Sequence, residues 1–225
     1  MTSAPKRGFV VAIDGPAGAG KSTLARALAR AFGLPYVNTG SMYRAVAREA
    51  LQRGLDPSDG DALASAAREL GFSLDGRDPR TLLIDGQLPG PELLTGEVEA
   101  IVSSVSGHPQ VRDVLRAAQR ELGADGSVME GRDIGTVVFP DADVKVFLLA
   151  EGEERASRRQ LERGTLDPAM AEALERRDEL DSKTTPLVAA PDAHVVDTTG
   201  KRPAEVLDEV RRLVIDAGGR VADPE

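Results

Sequence analysis

Short apolar runs recur along the chain, and segments with a helical spacing of apolar residues lie between them. Five of these runs are predicted to be strands: 9–13, 34–37, 127–130, 144–149 and 193–197. The first and fourth runs are apolar at nearly every position, which is typical of strands that are buried on both faces. The alternation of such strands with helices predicts an α/β fold with a parallel main sheet.

Apolar residues three or four positions apart predict the helices. Leu24, Leu28 and Phe32 form one such stripe directly after the first strand, and Gly33 is expected to end that helix. The helix after the second strand is expected to turn four residues toward the core: Val46, Ala47, Ala50 and Leu51. Further helices are predicted over 59–70, 97–106, 109–123, 153–163, 168–180 and 203–214.

The stretch that starts at Phe72 interrupts this alternation. Alternating apolar residues with Gly, Pro and Asp between them predict a small antiparallel meander, which does not fit a parallel strand–helix–strand unit. We therefore place it in an insertion between two units of the main sheet. A chain of 225 residues suits one α/β domain with insertions. The expected parts of this single domain (1–225) are a core (8–71, 124–152 and 187–217), an insertion (72–123) and a lid (153–186).

A glycine-rich segment follows the first strand and carries the clearest chemistry. Gly15-x-x-x-x-Gly20-Lys21-Ser22 matches the phosphate-binding loop pattern. Its glycines let backbone N–H groups point inward at a phosphate, Lys21 supplies charge for the outer phosphates, and Ser22 offers a hydroxyl to Mg²⁺. We predict that a nucleoside triphosphate with Mg²⁺ is bound by Gly15, Pro16, Ala17, Gly18, Ala19, Gly20, Lys21, Ser22 and Thr23.

Composition and charge narrow the class of protein. A net charge of −9 argues against non-specific binding to nucleic acid or to anionic membranes. No apolar run approaches 18 residues, so a membrane span is not expected. A signal peptide is not expected either, because the first strand leaves no room for one. The absence of cysteine fits the cytoplasm. Arginine outnumbers lysine by 23 to 5. This excess fits a preference for stability, or a group of arginines that bind phosphate in bidentate fashion.

Polar residues gather where two predicted strands end, which is where open α/β sheets bind ligands. Helix capping alone would explain Thr39, but not Tyr43 and Arg44, which we place in the first turn of the helix that follows. A cation is unfavourable there unless an anion lies nearby, so we expect Arg44 to contact a ligand. Arg132 and Asp133 follow the third strand and would face the same cleft, although a pair of this kind is often only a surface ion pair.

Arginines are also dense on the helix that follows the fourth strand. Such a run is usually a solvated face, and neighbouring glutamates could balance it. Its place after the fourth strand instead predicts a lid over the triphosphate, with Arg155 and Arg159 on one face.

Two functional classes fit these patterns. One is a small-molecule kinase with a phosphate loop, a separate acceptor pocket and an arginine-rich lid. The other is a P-loop switch or ATPase, in which Glu130 or Asp133 would bind Mg²⁺. A GTP-binding switch is disfavoured, because the Asp197-x-x-Gly200 segment follows the last strand and no Asn-Lys-x-Asp segment is present. The isolated His108 and His194 predict no metal site.

Four segments together resemble the bacterial cytidylate kinase family: Ile13–Thr23, Thr39–Arg44, Gly131–Ala142 and Arg176–Ser182. The third, which begins Gly-Arg-Asp-Ile-Gly-Thr-Val-Val-Phe-Pro-Asp, is the most specific, and the similarity runs from residue 9 to 215. It implies a three-layer P-loop core with a five-stranded parallel sheet, a nucleotide-binding insertion and a helical lid. It also implies Mg²⁺-dependent transfer of the ATP γ-phosphoryl group to CMP or dCMP. We expect a cytoplasmic monomer.

The resemblance also assigns residues to roles. Ser103, Arg112 and Asp133 match contacts to the cytosine, and Arg44 a contact to the monophosphate. The other acceptor contacts that it implies are Thr39, Tyr43, Arg132, Arg177 and Asp181. The charge-neutralising residues of the transfer step are expected to be Lys21, Arg132, Arg155, Arg159 and Arg177. The chain departs from the family between Ser182 and Pro186. This segment is two residues shorter than usual and lacks the usual Arg, for which Lys183 is the expected substitute.

Overall fold

A strand buried along its whole length, β1 (Val10–Asp14), lies at the centre of the main sheet. This computed structural model describes residues 8–76, 80–163 and 187–222. The other main strands are β2 (Tyr36–Asn38), β5 (Ser127–Gly131), β6 (Val144–Leu149) and β7 (His194–Asp197). All pairings are parallel, in the order β2-β5-β1-β6-β7. The predicted five-stranded parallel sheet is confirmed, and its third strand along the chain, β5, pairs with β1.

The helices cover both faces of this sheet. They are α1 (Lys21–Phe32), α2 (Thr39–Arg53), α3 (Gly60–Glu69), α4 (Gly96–Gly107), α5 (Pro109–Gly123), α6 (Gly152–Arg163) and α7 (Pro203–Asp216). One apolar cluster joins Val10 and Ala12 to α2, α3, α4 and α5, and a second joins Val11 and Ile13 to α1 and α7. Because alternate residues of β1 enter opposite clusters, the strand must be apolar on both faces.

The small antiparallel sheet is also confirmed. It consists of β3 (Phe72–Leu74) and β4 (Leu82–Ile84), with Ser73 opposite Leu83. A 3₁₀ turn over Pro91–Leu94 follows. The segment assigned to the insertion also packs on the main sheet, since Val102 and Leu115 belong to the same apolar cluster as Val10. The boundaries of core, insertion and lid stay predictions.

Three details of the predicted elements were wrong. Leu51, expected to face the core, is 40% exposed, because Ala47 and Ala50 already fill the buried side of α2. The second strand begins at Tyr36 rather than at residue 34, because the N–H of Leu34 donates to the carbonyl of Ala29 at the end of α1. Helix α2 begins at Thr39, since the side chain of Asn38 accepts from the N–H of Ser41.

The earlier start of α2 has a consequence for Arg44. This residue lies in the second turn of the helix rather than in the first, so the helix dipole acts on it more weakly than expected. The predicted lid helix over 168–180 lies outside the described residues. Within the described ranges, no helix is both long enough and apolar enough to cross a membrane.

Candidate active site

The phosphate-binding loop connects β1 to α1 and depends on glycine at defined positions. Gly15, Gly18 and Gly20 have φ angles of 144°, 78° and 91°, which residues with a side chain rarely adopt. A Cβ at Gly15 would also lie 2.4 Å from the carbonyl oxygen of Leu148. The path of the loop therefore requires glycine at these three positions. Nζ of Lys21 donates to the carbonyl of Pro16, 2.7 Å away, within the loop.

A cavity of about 920 Å³ extends from this loop to α4 and α5. It brings together most of the predicted residues: Ala17, Gly18, Gly20, Lys21, Ser22, Thr23, Thr39, Tyr43, Arg44, Arg112, Arg132 and Asp133. Other predicted residues are described but do not line it: Gly15, Pro16, Ala19, Ser103 and Arg155. The side chain of Arg159, and Arg177, Asp181 and Lys183 altogether, lie outside the described part of the chain.

Glu130, at the end of β5, joins the phosphate loop to β2. Its Oε2 accepts from the hydroxyl of Ser22 at 2.9 Å, and its Oε1 accepts from the hydroxyl of Tyr36 at 2.5 Å. Burial, and then the nearby charge of Glu130, raise the pKa of Tyr36 well above its ordinary range. The site thus offers a carboxylate and a hydroxyl side by side, and oxygen donors of this kind suit Mg²⁺. The sequence named Glu130 only for the ATPase alternative.

Asp133 lies between two arginines of α5. Its Oδ2 accepts from Nη2 of Arg112 at 2.8 Å and from Nη2 of Arg116 at 2.7 Å. All three side chains are mostly buried, with 9%, 9% and 21% of the Asp133, Arg112 and Arg116 side chains exposed. Among the described residues, Oδ1 of Asp133 accepts no hydrogen bond. The sequence patterns did not single out Arg116, although it lies one helical turn after Arg112.

Arg44 contacts an anion of the protein itself. Its Nε lies 3.1 Å from Oε1 of Glu99 on α4, and both side chains are largely buried. We expected the anion beside Arg44 to belong to a ligand. The carboxylate of Glu99 already supplies one, and the sequence did not indicate this contact. Arg44 still lines the cavity, so it remains within reach of a ligand there.

Helix α6 contacts the phosphate loop through its arginines. Nη1 of Arg155 donates to the carbonyl of Ala17 at 3.1 Å. Nη1 and Nη2 of Arg158 donate to the hydroxyl and the carbonyl of Thr198, and that hydroxyl donates to the carbonyl of Ala19. Two arginines at the start of the predicted lid are thus bonded to the phosphate loop, Arg155 directly and Arg158 through Thr198. Arg158 was part of the predicted arginine run but was not assigned a role.

Asp14, the last residue of β1, connects the phosphate loop to the segment that carries Asp133. Its two carboxylate oxygens accept from the N–H groups of Ile134 and Gly135, at 2.8 and 2.7 Å. Burial raises the pKa of Asp14 from 3.8 to about 6, although these two hydrogen bonds oppose the shift. No pattern in the sequence indicated this contact, since the partners are 120 and 121 residues apart.

This pKa makes stability depend on pH in a defined direction. As pH rises from 4 to 6, the unfolded chain loses the Asp14 proton first, so ionisation in the buried site destabilises the folded protein. Relative to Asp14→Asn, the free energy of unfolding of the native protein should therefore fall by about 2 kcal/mol over that range. Urea unfolding of both proteins across pH 4–7 measures the difference. The exposed Asp208→Asn should run parallel to the native protein; a parallel curve for Asp14→Asn would refute the assignment.

Comparison with known proteins adds to this geometry. A family model described as cytidylate kinase matches residues 11–215. A cytidylate kinase of Mycobacterium avium is 47% identical over 215 residues, which cover 91% of this chain and 94% of that protein. One from Desulfitobacterium hafniense is 42% identical over 219 residues, covering 94% of each. The crystal structure of a gluconokinase from Sinorhizobium meliloti, 17% identical, covers 94% of this chain and 97% of its own with a TM-score of 0.50, which shows a shared fold.

Proposed function

Because the chain belongs to the cytidylate kinase family, we propose that it transfers the γ-phosphoryl group of ATP to CMP or dCMP. The products are ADP and CDP or dCDP. The observation that carries this proposal is one cavity lined at one end by the phosphate loop and at the other by Arg112 and Asp133. A donor and an acceptor nucleotide would meet within it.

The transfer step needs no general base from the protein. An oxygen of the CMP phosphate attacks the γ-phosphorus, and the bond from that phosphorus to the bridging oxygen breaks, so that its electron pair leaves with ADP. With a second pKa of about 6, the attacking phosphate is mostly dianionic at pH 7. The obstacle is repulsion between two anions, and positive charge in fixed positions removes it. Lys21, Arg44 and Arg132 line the cavity where this charge is required.

Arginines beyond the cavity would complete the charge around the transferring group. Arg155 lies against the phosphate loop at Ala17, and we propose that it turns toward the phosphates when ATP is bound. Arg159 and Arg177 are proposed for the same role from the family resemblance.

Ser22 and Glu130 are the residues that would hold Mg²⁺. Their oxygens lie 2.9 Å apart at the start of α1, so they fit a hard cation. Bound there, Mg²⁺ would offset charge on the outer phosphate oxygens of ATP. Glu130 also accepts from Tyr36, so this carboxylate is held in place before the metal arrives.

The cytosine would be recognised by Asp133 and Arg112. Cytosine presents an N4 amino donor beside the N3 and O2 acceptors, and a carboxylate next to a guanidinium matches that pattern. Oδ1 of Asp133, which accepts no hydrogen bond from the part of the chain that the structure describes, is the acceptor for N4 in this proposal. Uracil has O4 in that place, so two acceptors would face each other. The CMP phosphate would compete with Glu99 for Arg44.

An acceptor panel tests the proposal. With ATP and Mg²⁺, kcat/KM for CMP should exceed that for UMP by about 10- to 100-fold, which corresponds to one well-formed base contact. AMP should be poorer still, and ATP hydrolysis without an acceptor should be nearly absent. Preferred phosphorylation of UMP or AMP would contradict the acceptor assignment. Rapid hydrolysis without an acceptor would instead favour the ATPase alternative.

Nucleotides are the expected partners of this enzyme. A monomer, a cytoplasmic location and the lack of nucleic-acid binding stay predictions. Ser103, Asp181 and Lys183 also remain proposed acceptor contacts on the strength of the family resemblance alone.

A further inference from the structure

Two arginines share one oxygen of Asp133, and only one of them belongs to the cavity lining. Arg112 lines the cavity, and its Nη1 also lies 3.3 Å from the carbonyl of Ser106. Arg116 reaches the same Oδ2 from one helical turn further along α5 and does not line the cavity. A single carboxylate between two guanidinium groups leaves one positive charge in excess in this buried cluster.

The two arginines face different demands when a nucleotide binds. In the proposed function, Arg112 turns toward the ring acceptors of cytosine, which weakens its bond to Asp133. A carboxylate that loses its partner in a buried site loses both its orientation and the stabilisation of its charge. Arg116 has no such second task, because it approaches Asp133 away from the cavity.

On the basis of the proposed function, we infer that Arg116 is a positioning residue for nucleobase selection. It holds Oδ2 of Asp133 while Arg112 contacts the base, so that Oδ1 stays aimed at the N4 amino group. Tyr43, whose pKa is raised by burial and also by the nearby charge of Asp133, packs against the apolar cluster at the same corner. The chain thus divides recognition between one arginine that contacts the base and one that supports the carboxylate.

Arg116→Met tests this inference, since it keeps the long apolar stem and removes the guanidinium. The KM for CMP should rise about tenfold, which is the lower range for removing a hydrogen bond to a charged group. kcat and the KM for ATP should change little, and the ratio of kcat/KM for CMP to that for UMP should fall. Arg116→Lys should restore part of the selectivity. The exposed Arg68→Met is a matched control and should leave every constant unchanged.

A double-mutant cycle distinguishes positioning from general stabilisation. If Arg116 acts through Asp133, then Arg116→Met should have no further effect on CMP selectivity in an Asp133→Ala background. An unchanged CMP-to-UMP ratio in Arg116→Met, or an equal loss in both backgrounds, would overturn the inference. If Arg116→Met does not fold, as judged by its thermal unfolding, Arg116→Lys takes its place. Its ratio of kcat/KM for CMP to that for UMP should lie below that of the native protein, and a ratio equal to the native one would overturn the inference.

Failure of the proposed function would look different. It would appear as poor CMP phosphorylation by the native protein, before any substitution is made. A native protein that prefers CMP, together with an Arg116→Met variant of equal preference, would refute only the role of Arg116.

Discussion

Lys21→Ala is expected to lower the rate of phosphoryl transfer by about 10³-fold, the upper range for removing one donor that stabilises charge in a transition state. The ammonium group lies at the opening of α1, where the outer phosphates of ATP would be held. Without it, negative charge that develops on the transferring group meets no mobile cation. Its present partner, the carbonyl of Pro16, would also lose its donor, so the loop would be less well ordered.

Single-turnover measurement with ATP and CMP separates this loss from an effect on product release. Lys201→Ala is the matched control, because Lys201 pairs with Glu209 on the surface and should leave the rate unchanged. A thermal unfolding curve confirms that each variant folds. A Lys21→Ala enzyme that retains a tenth of the native rate would show that the phosphate loop is not the donor site.

Asp133→Asn is expected to change which base the enzyme prefers. Two guanidinium groups attract the amide oxygen of the new side chain, so its NH₂ group would turn toward the ligand. That donor opposes the amino group of cytosine but matches O4 of uracil. We expect the ratio of kcat/KM for CMP to that for UMP to fall about 100-fold, because the substitution removes one hydrogen bond to CMP and adds one to UMP.

Asp133→Ala provides the comparison for this prediction. It should lose activity with CMP without gaining any with UMP, because it offers neither a donor nor an acceptor. It also leaves Arg112 and Arg116 buried without their carboxylate, so it should be less stable than Asp133→Asn. Equal selectivity in Asp133→Asn and the native protein would place cytosine elsewhere.

The fold was largely predictable because its signals are local. Strand β1 and the loop after it are defined by consecutive residues: an apolar run, then glycines at the loop positions whose φ is positive. The small antiparallel sheet was predictable for the same reason, since alternation and turn residues lie within a few positions. The errors at Leu51 and Arg44 also have local causes. Ala47 and Ala50 already fill the buried side of α2, and the start of the helix at Thr39 places Arg44 in its second turn.

The partners of the site residues were much harder to predict. Glu99 approaches Arg44 from 55 residues away, and Asp14 bonds to Ile134 from 120 residues away. No periodicity encodes such contacts; they follow from the strand order and from the packing of α4 and α5. Family motifs could suggest residues for an acceptor site, but they did not indicate that Asp133 has two arginine partners.

The two tyrosines of the chain give the site a spectroscopic property. The protein contains no tryptophan and only two tyrosines, Tyr36 and Tyr43, and both line the cavity. Tyr36 donates its hydroxyl proton to Glu130, while Tyr43 lies at the opposite corner near Asp133. Essentially all intrinsic fluorescence therefore originates in the cavity wall, so we expect a nucleotide that binds there to change the emission of the unlabelled protein.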